Sequence, residues 1–431
     1  MLETIRNAWK IDELRKKILF TLLIVLLYRL GNAIPVPYVD IAKLGEHFKS
    51  LENTVLGLIN VMSGGAFSTA TIFALSIQPY INASIIMQLL TIAIPALERL
   101  QKDGGEEGRK KIASITRYAT VGIGLLQGFA YYMLMLRSNL LLPGSGVWEA
   151  VVIILTFTAG SALIMWLGEQ ISEFGIGNGI SIILFASIIS RFPANVGTMI
   201  ANVSAGSLSW WMLALMLLGA LAIIVLIVVV TNAERRIPVQ YSKRVVGRKM
   251  YGGQSTHLPM KVNMSGVLPI IFAQSIASLP ATVAAFFPAP ASGTFWYGFL
   301  KAIDTTSIVY AIIYFMLIIF FAYFYSTIQF NPVEIANNLK KNGGFIPGFR
   351  PGKPTSEYIQ KSLNKITLFG AIYLGIVAVV PILIGAFSET AAKSGVSLGG
   401  TSIIIVVGVA LETVKAMEAQ MIMRNYKGFL E

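Results

Sequence analysis

The sequence predicts an all-α integral membrane protein, and three observations point to this class. The 431-residue chain is 55% hydrophobic but only 13% charged, whereas soluble domains carry about 25% charged residues. Several apolar runs approach the roughly 20 residues that an α-helix needs to cross a bilayer. With the exception of Arg29, lysine and arginine fall between or at the ends of these runs.

Ten apolar runs are predicted to cross the membrane as helices. The fifth run is short and opens on Gly175, Gly177 and Gly179, and without it nine crossings would remain. The first run follows a polar segment and is not followed by a small-residue cleavage site, so we interpret it as a retained helix. The runs cover approximately residues 18–34, 72–95, 115–136, 149–168, 176–193, 210–231, 265–287, 308–330, 363–387 and 397–418.

The positive charge predicts that both termini lie in the cytoplasm. In this orientation 27 of the 34 lysines and arginines lie on the cytoplasmic side, six lie outside, and Arg29 lies in the first span. Short loops with excess lysine and arginine remain on the cytoplasmic side of a membrane. The net charge of +13 therefore indicates orientation in a membrane rather than binding of nucleic acid.

Two basic connections, residues 232–264 and 331–362, are unusually long. Their positive charge could serve orientation alone, or the loops could dock a large cytoplasmic partner. Pro347-Gly348 and Pro351-Gly352 flank Arg350, and these turn-forming pairs favour a shaped loop tip over a flexible linker.

The outer segment 54–70 begins with mildly amphipathic residues and ends in glycine, serine and threonine. It is too short and too polar to span a bilayer. It could be an ordinary surface loop. Alternatively, it could be a short movable helix that folds back into the protein, a conformation tolerated at membrane depth only when it is buried in protein or lines a cavity.

Motifs for catalysis and cofactor binding are missing, so we expect no enzyme and no cofactor. The chain has no cysteine and only two histidines, His47 and His257, which argues against a multi-histidine or thiolate metal centre. It contains no P-loop, no HExxH and no GxSxG sequence. Ionisable residues are nearly absent from the middle of the spans, which argues against an ion-coupled carrier.

Amide side chains remain within three spans, at Gln88, Gln127 and Gln274. Because an unpaired amide in hydrocarbon costs several kcal/mol, roughly, these groups should face protein, water or one another. They could hold helices together, or they could form a polar seam between helices that separate.

Long stretches of the chain resemble the bacterial SecY family of protein translocase subunits. The similar segments are LSIQPYINASIIMQLLT from Leu75, WLGEQISEFGIGNGISII from Trp166, QSTHLPMKVNMSGVLPIIFA from Gln254, NPVEIANNLKKNGGFIPGFRPGKPT from Asn331 and GGTSIIIVV from Gly399.

The resemblance implies a channel for unfolded secretory polypeptides, made of two pseudo-symmetric five-helix halves, residues 1–195 and 196–431. It implies a plug after the first span, which fits 54–70, with Gly57, Leu58, Ile59, Asn60, Val61, Met62, Ser63, Gly64 and Gly65 at its centre. It implies a constriction of bulky aliphatic side chains that we name the pore ring, at Ile77, Ile81, Ile180, Leu184, Ile271 and Ile405. Leucine at 184 departs from the family's commoner isoleucine but keeps its volume.

The resemblance also implies a lateral gate through which transmembrane segments leave, and the amide seam of Gln88, Gln127, Gln274 and Ser275 would line it. The family's partners are the SecA ATPase, the ribosome, the SecE and SecG membrane subunits, secretory preproteins with their signal peptides, and lipid, and its location is the bacterial plasma membrane. Partner contacts are expected at Arg235, Arg236, Lys243, Arg244, Arg248, Lys249, Lys340, Lys341 and Arg350. A small-solute transporter is the alternative function, and a membrane scaffold without a pore is a second rival.

Overall fold

The computed structural model describes residues 2–50, 55–144, 146–206, 209–241, 244–246, 249–251, 255–264, 266–284, 294–302, 307–387 and 399–427. The helices are α1 (Leu2–Trp9), α2 (Asp12–Gly31), α3 (Ile41–Ser50), α4 (Val55–Met62), α5 (Gln78–Ala93), α6 (Pro95–Lys102), α7 (Gly105–Arg137), α8 (Val147–Phe174), α9 (Gly179–Ser204), α10 (Trp210–Asn232), α11 (Leu268–Ala284), α12 (Phe295–Ala302), α13 (Ile308–Gln329), α14 (Pro332–Lys341), α15 (Lys353–Phe387) and α16 (Gly399–Lys427). The strands are β1 (Glu234–Tyr241), β2 (Arg244–Val246), β3 (Lys249–Tyr251), β4 (Ser255–Lys261) and β5 (Gly344–Phe345).

Each of the ten predicted spans overlaps a helix: in order, α2, α5, α7, α8, α9, α10, α11, α13, α15 and α16. Within the described residues, six helices are individually long and apolar enough to cross a membrane, and α5 with α6 adds a bent pair. The chain is therefore a mostly helical, multi-pass membrane protein, and the count of ten spans stays a prediction. The fifth run forms α9, which is 26 residues long and one of those six helices.

The second span starts later than the sequence indicated. Its helix α5 begins at Gln78 rather than near residue 72, and Ile77 is the N-cap residue. Pro79 explains the position, because proline has no N–H to donate and is favoured in the first turn of a helix. The helix ends at Ala93, and Ile94 joins it to α6 at a bend of 100°.

Two groups of helices pack together. In the first group α2, α5, α7, α8 and α9 contact one another, and in the second group α10, α11, α13, α15 and α16 do so. The groups meet where α11 packs on α5 and α7, and where α9 packs on α10 and α16. Two separate lines of contact therefore connect the N-terminal and C-terminal parts of the chain.

Gly160 on α8 permits one close approach within the first group. A Cβ atom at this position would lie 2.0 Å from the backbone oxygen of Ile72. The turn segment before α5 can therefore rest directly on α8 only because residue 160 has no side chain.

The two long basic loops form a β-sheet that the sequence did not indicate. Strand β1 pairs antiparallel with β4 and, on its other edge, with β5, which lies in the second loop. Ile237 and Val239 of β1 pack with Ile346, Ile359 and Leu363 in a small apolar core. Strands β1, β4 and β5 and the start of α15 therefore form one folded unit with shared hydrophobic packing.

Candidate functional site

The predicted plug segment lies inside the protein rather than on its surface. Its first part forms α4, and Asn60, Met62 and Ser63 are at most 4% exposed. Gly57 is also buried, whereas Ile59, Val61, Gly64 and Gly65 are partly buried, and the side chain of Leu58 lies outside the described set. Of the two alternatives for this segment, the buried helix is the arrangement observed.

Hydrogen bonds connect the end of α4 to the first group of helices. The hydroxyl of Tyr28 on α2 donates to the carbonyl of Ser63 at 3.3 Å and lies 2.7 Å from the hydroxyl of Ser187 on α9. The amide of Asn32 donates to the same Ser63 carbonyl at 3.4 Å. Within the segment, the Asn60 side chain accepts from the backbone N–H of Ser68 at 2.9 Å. These contacts hold the segment in a defined position against α2 and α9.

The six residues of the predicted pore ring come together in one buried apolar cluster. They approach from α5 and its N-cap, α9, α11 and α16. Five of them are at most 3% exposed, and the sixth, Ile180, is partly buried against the same cluster. Met62 at the end of α4 belongs to this cluster too, so the plug segment contributes to the same apolar core as the ring residues.

The seam residues do not form one contiguous network. Gln274 and Ser275 of α11 are buried, but Gln88 of α5 donates to Ser84 at 3.3 Å, one turn earlier on its own helix. Within the part of the chain that the structure describes, the buried polar atoms Gln88 Oε1, Gln274 Oε1 and Ser275 Oγ have no hydrogen-bond partner. Unpaired buried polar atoms are uncommon in folded proteins and need an explanation; helices that separate would provide one.

A cavity of about 50 Å³ lies between α5, α7, α11 and the plug segment. Gln127 lines it, and so do Gln78, Asn82 and Ser278, which we did not predict from the sequence. Gln78 precedes a proline at the start of a helix, a place where a glutamine usually faces solvent. The sequence feature that could have identified it is its place in an apolar span that also carries Asn82 and Gln88.

The basic residues predicted to bind partners lie on the cytoplasmic sheet and its surroundings. Arg235, Arg236, Lys340, Lys341 and Arg350 are exposed. Arg236 forms an ion pair with Glu234 at 2.7 Å, and Arg244 and Lys249 lie in the β2–β3 hairpin. Lys243 and Arg248 lie outside the described residues.

Arg350 is held at the tip of the second loop by defined turns. Gly348 and Gly352, on either side, have φ angles of 87° and 105°, which glycine adopts without strain. The backbone carbonyl of Arg350 accepts from the Thr355 hydroxyl at 2.8 Å. The tip is therefore shaped, as its turn residues predict, and it presents Arg350 to solvent.

The loop between the second and third spans carries an exposed ion pair on α6. Lys102 Nζ lies 2.7 Å from Glu98 Oε1, and this hydrogen bond lowers the pKa of the Glu98 carboxyl and raises the pKa of Lys102. Because both groups are exposed, the pair adds little to stability. Within the described residues, no cluster of three histidine, aspartate or glutamate side chains could hold a metal ion.

Comparison with known proteins decides the family. A sequence model of SecY matches residues 71–414. The chain belongs to the SecY family. The protein translocase subunit SecY of Streptomyces scabiei is 45% identical over 444 residues, covering 100% of both chains. The SecY subunits of Streptomyces coelicolor and Mycobacterium tuberculosis are 45% and 43% identical, again over 100% of each chain. SecY is a channel subunit and not an enzyme.

Solved structures show the same fold. A structure described as a protein conducting channel superposes with a TM-score of 0.67 at 17% identity, covering 94% of this chain and 92% of that one. A second, which concerns the plug domain of a SecY protein, has a TM-score of 0.65 with the same identity and coverage. A Sec61 channel from a canine ribosome complex has a TM-score of 0.61 at 15% identity, with 94% and 92% covered.

Proposed function

We propose that this SecY-family chain is the channel-forming subunit of a bacterial protein translocase, which conducts unfolded secretory polypeptides across the plasma membrane. The observation that carries the proposal is the apolar cluster that joins the six predicted ring residues to Met62 of the plug segment. A closed channel requires such an arrangement, with a constriction and an obstruction packed together.

The chemistry of the cluster suits a substrate of arbitrary sequence. Specific hydrogen bonds cannot match every polypeptide, but flexible aliphatic side chains can surround any residue. When no substrate is present, a narrow apolar constriction resists water and ions by dewetting. The plug segment would add to the seal on one side of the constriction.

The two packed groups of helices support a division into two halves, and because α9 continues to Ser204, the groups divide after that residue rather than at the predicted residues 195 and 196. Separation of α11 from α5 and α7 would open the channel sideways along the cavity that Gln127 lines. Hydrophobic segments would leave by this route because they partition favourably into lipid. The unpaired atoms of Gln88, Gln274 and Ser275 favour a seam that opens, in which polar atoms gain partners when the helices move.

The energy that moves the polypeptide through the channel would come from partner proteins. The chain has no recognisable nucleotide-binding motif, so we assign energy supply to the SecA ATPase and the translating ribosome, which would bind the cytoplasmic sheet and the Arg350 tip. The positive charge of these loops supports cytoplasmic termini. SecE and SecG would be the membrane partners, and preproteins with their signal peptides the substrates. Two solved channels of similar fold are described in complexes with ribosomes.

The small-solute transporter is not favoured. Such a carrier needs a central polar or charged site near the middle of the membrane, whereas the six ring residues lie in a buried apolar cluster and ionisable residues are nearly absent from the middle of the spans. A scaffold without a pore would have no need of a displaceable segment against that cluster.

Ion conductance tests the proposal. The chain would be purified with its small membrane partner subunits, reconstituted in liposomes, and measured with and without deletion of residues 57–67. We expect the intact protein to be silent and the deletion to conduct ions. If the intact protein and the deletion both remain silent although each is folded and inserted, the plug assignment is wrong. The small-solute transporter and the scaffold without a pore then have to be reconsidered.

A further inference from the structure

Met62 is hydrogen-bonded from both sides of the seam. Its sulfur accepts from the side-chain amide of Gln78 at 3.1 Å and from that of Gln274 at 3.2 Å. Gln78 is the first residue of α5, in the N-terminal group of helices, and Gln274 lies in α11, in the C-terminal group. All three side chains are at most 8% exposed. One atom of the plug segment therefore connects the two groups.

The chemistry of this contact is unusual for a buried site. A thioether is a weak hydrogen-bond acceptor, yet here it serves two carboxamides that have been removed from water. Burial of an amide without a good partner is costly, and Gln274 Oε1 has no partner at all in the described part of the chain. The closed arrangement thus satisfies these amides only in part, and water or another chain could satisfy them better.

We propose that the Met62 sulfur couples the position of the plug to the state of the seam. The inference rests on the proposed plug and lateral gate. As long as α5 and α11 stay together, both amides reach the sulfur and α4 is held at the cluster. When α11 separates from α5, at least one amide loses its acceptor, and the plug segment loses a contact on that side. Met62 is in this sense a positioning residue, which links opening towards lipid with opening along the pore.

The neighbouring cavity makes the coupling reversible. Gln78 lines this cavity together with Asn82 and Ser278, and its volume of about 50 Å³ exceeds the roughly 15 Å³ that one water molecule needs. Water or a polypeptide entering there would offer Gln78 a stronger partner than sulfur. Entry of a substrate at the seam would therefore weaken the hold on α4.

Two variants distinguish a hydrogen-bonding role of Met62 from a packing role. One removes the sulfur acceptor alone, and the other removes the acceptor together with both amide donors. Met62→Leu keeps the side chain apolar and similar in volume but removes the acceptor, so two buried amides lose their partner. Met62→Leu combined with Gln78→Leu and Gln274→Leu removes the donors as well, and replacement of both partners by apolar groups of similar shape is close to neutral. Met135→Leu, at a fully buried methionine of α7, controls for the replacement of a buried methionine by leucine.

Two measurements on the intact chain with its partner subunits are needed: ion conductance in liposomes, and hydrogen exchange of the α4 amides. For Met62→Leu we expect conductance and exchange to rise roughly tenfold, since the closed state alone loses stability. The triple variant should return most of the way to the parent, and Met135→Leu should match the parent.

Two results would overturn the coupling. In the first, Met62→Leu has the same ion conductance as the unsubstituted protein, and its α4 amides exchange hydrogen as slowly. In the second, the triple variant conducts as much as Met62→Leu or more, which would make Met62 a packing residue. Deletion of residues 57–67 serves as the reference for an open channel. Should that deletion be silent, the plug function fails, and hydrogen exchange of α4 still decides whether the two amides hold Met62.

Discussion

The hydroxyl of Tyr28 lies 2.7 Å from the hydroxyl of Ser187, and this contact joins α2 to α9 beside the carbonyl of Ser63, which is 3.3 Å from the same Tyr28 hydroxyl. Tyr28 is fully buried, and its ring stacks on Phe73 with centroids 5.7 Å apart. Ser187 also donates to the carbonyl of Ile183 at 2.8 Å. With its proton directed to Ile183, Ser187 accepts from Tyr28, and the single hydroxyl proton of Tyr28 is shared between Ser187 and the carbonyl of Ser63 at the end of α4.

Tyr28→Phe should loosen the plug segment without unfolding the protein. The ring and its stacking on Phe73 stay, and Ser187 keeps its bond to Ile183, so the loss is that of the hydrogen bond which the Tyr28 hydroxyl shares between Ser187 and Ser63, about 1 kcal/mol. We expect a rise in ion conductance of roughly fivefold, measured in liposomes. Tyr118→Phe, at a position that is 78% exposed, should change nothing. A fall in thermal stability without added conductance would show that Tyr28 serves the fold alone.

A polar side chain in the pore ring should let ions through. Ile81 of α5 is 3% exposed and lies in the cluster with Met62. Ile81→Ser shortens this side chain and adds a hydroxyl, which lowers the cost of hydrating the constriction. The same change at Ile86, which is on the same helix but 46% exposed, is the matched control. We expect conductance well above the parent for Ile81→Ser and equal to it for Ile86→Ser, and equal conductance in both variants would contradict the ring assignment.

Apolar runs made the helices predictable, because a bilayer requires about 20 apolar residues in each spanning helix. The start of α5 at Gln78 was not predictable in the same way: the apolar run begins before it, and only Pro79 indicates a helix start. The connection between the two loops was not predicted because β1 pairs with β5 about a hundred residues later in the chain, in addition to β4 in its own loop. No local pattern of alternating residues identifies a partner at that distance.

The contacts of Met62 show a second limit of prediction from the sequence. Its acceptor role depends on Gln78, 16 residues away, and on Gln274, 212 residues away. A methionine in an apolar helix is ordinarily a packing residue. The amide seam of Gln88, Gln127 and Gln274 was visible as polar residues in apolar runs, but which of them meet is set by tertiary packing alone.

Gly160→Ala should destabilise the fold. The new Cβ would lie 2.0 Å from the oxygen of Ile72, so either the backbone before α5 or helix α8 must move, at a cost of about 2 kcal/mol or more. Gly122→Ala on α7 is the control, since no atom of a neighbouring element among the described residues lies within 4 Å of its Cβ position and alanine favours a helix over glycine by about 1 kcal/mol. Thermal unfolding in detergent should show opposite signs for the two variants, and a neutral Gly160→Ala would mean that the segment at Ile72 is easily displaced.

Arg350→Ala should impair transport driven by the motor ATPase while the amount of folded protein stays unchanged. Arg350 is exposed at a tip whose shape comes from backbone turns and from the Thr355 hydroxyl bond to its carbonyl. The side chain can therefore be removed without loss of the loop. Arginine is enriched among the residues that dominate binding energy at protein interfaces, so a loss of roughly tenfold or more in transport rate is expected.

Lys353→Ala provides the matched control for Arg350. Lys353 is exposed in the same loop, and its removal takes away the same charge three residues further along the chain. The two variants would be compared for ATP-dependent import of a secretory precursor into membrane vesicles, with the amount of the chain determined in each. A loss in Arg350→Ala alone would indicate a specific contact with the motor. Equal losses in both variants would mean that the loop contributes general positive charge, and a parallel loss of protein would assign Arg350 to folding of the cytoplasmic sheet.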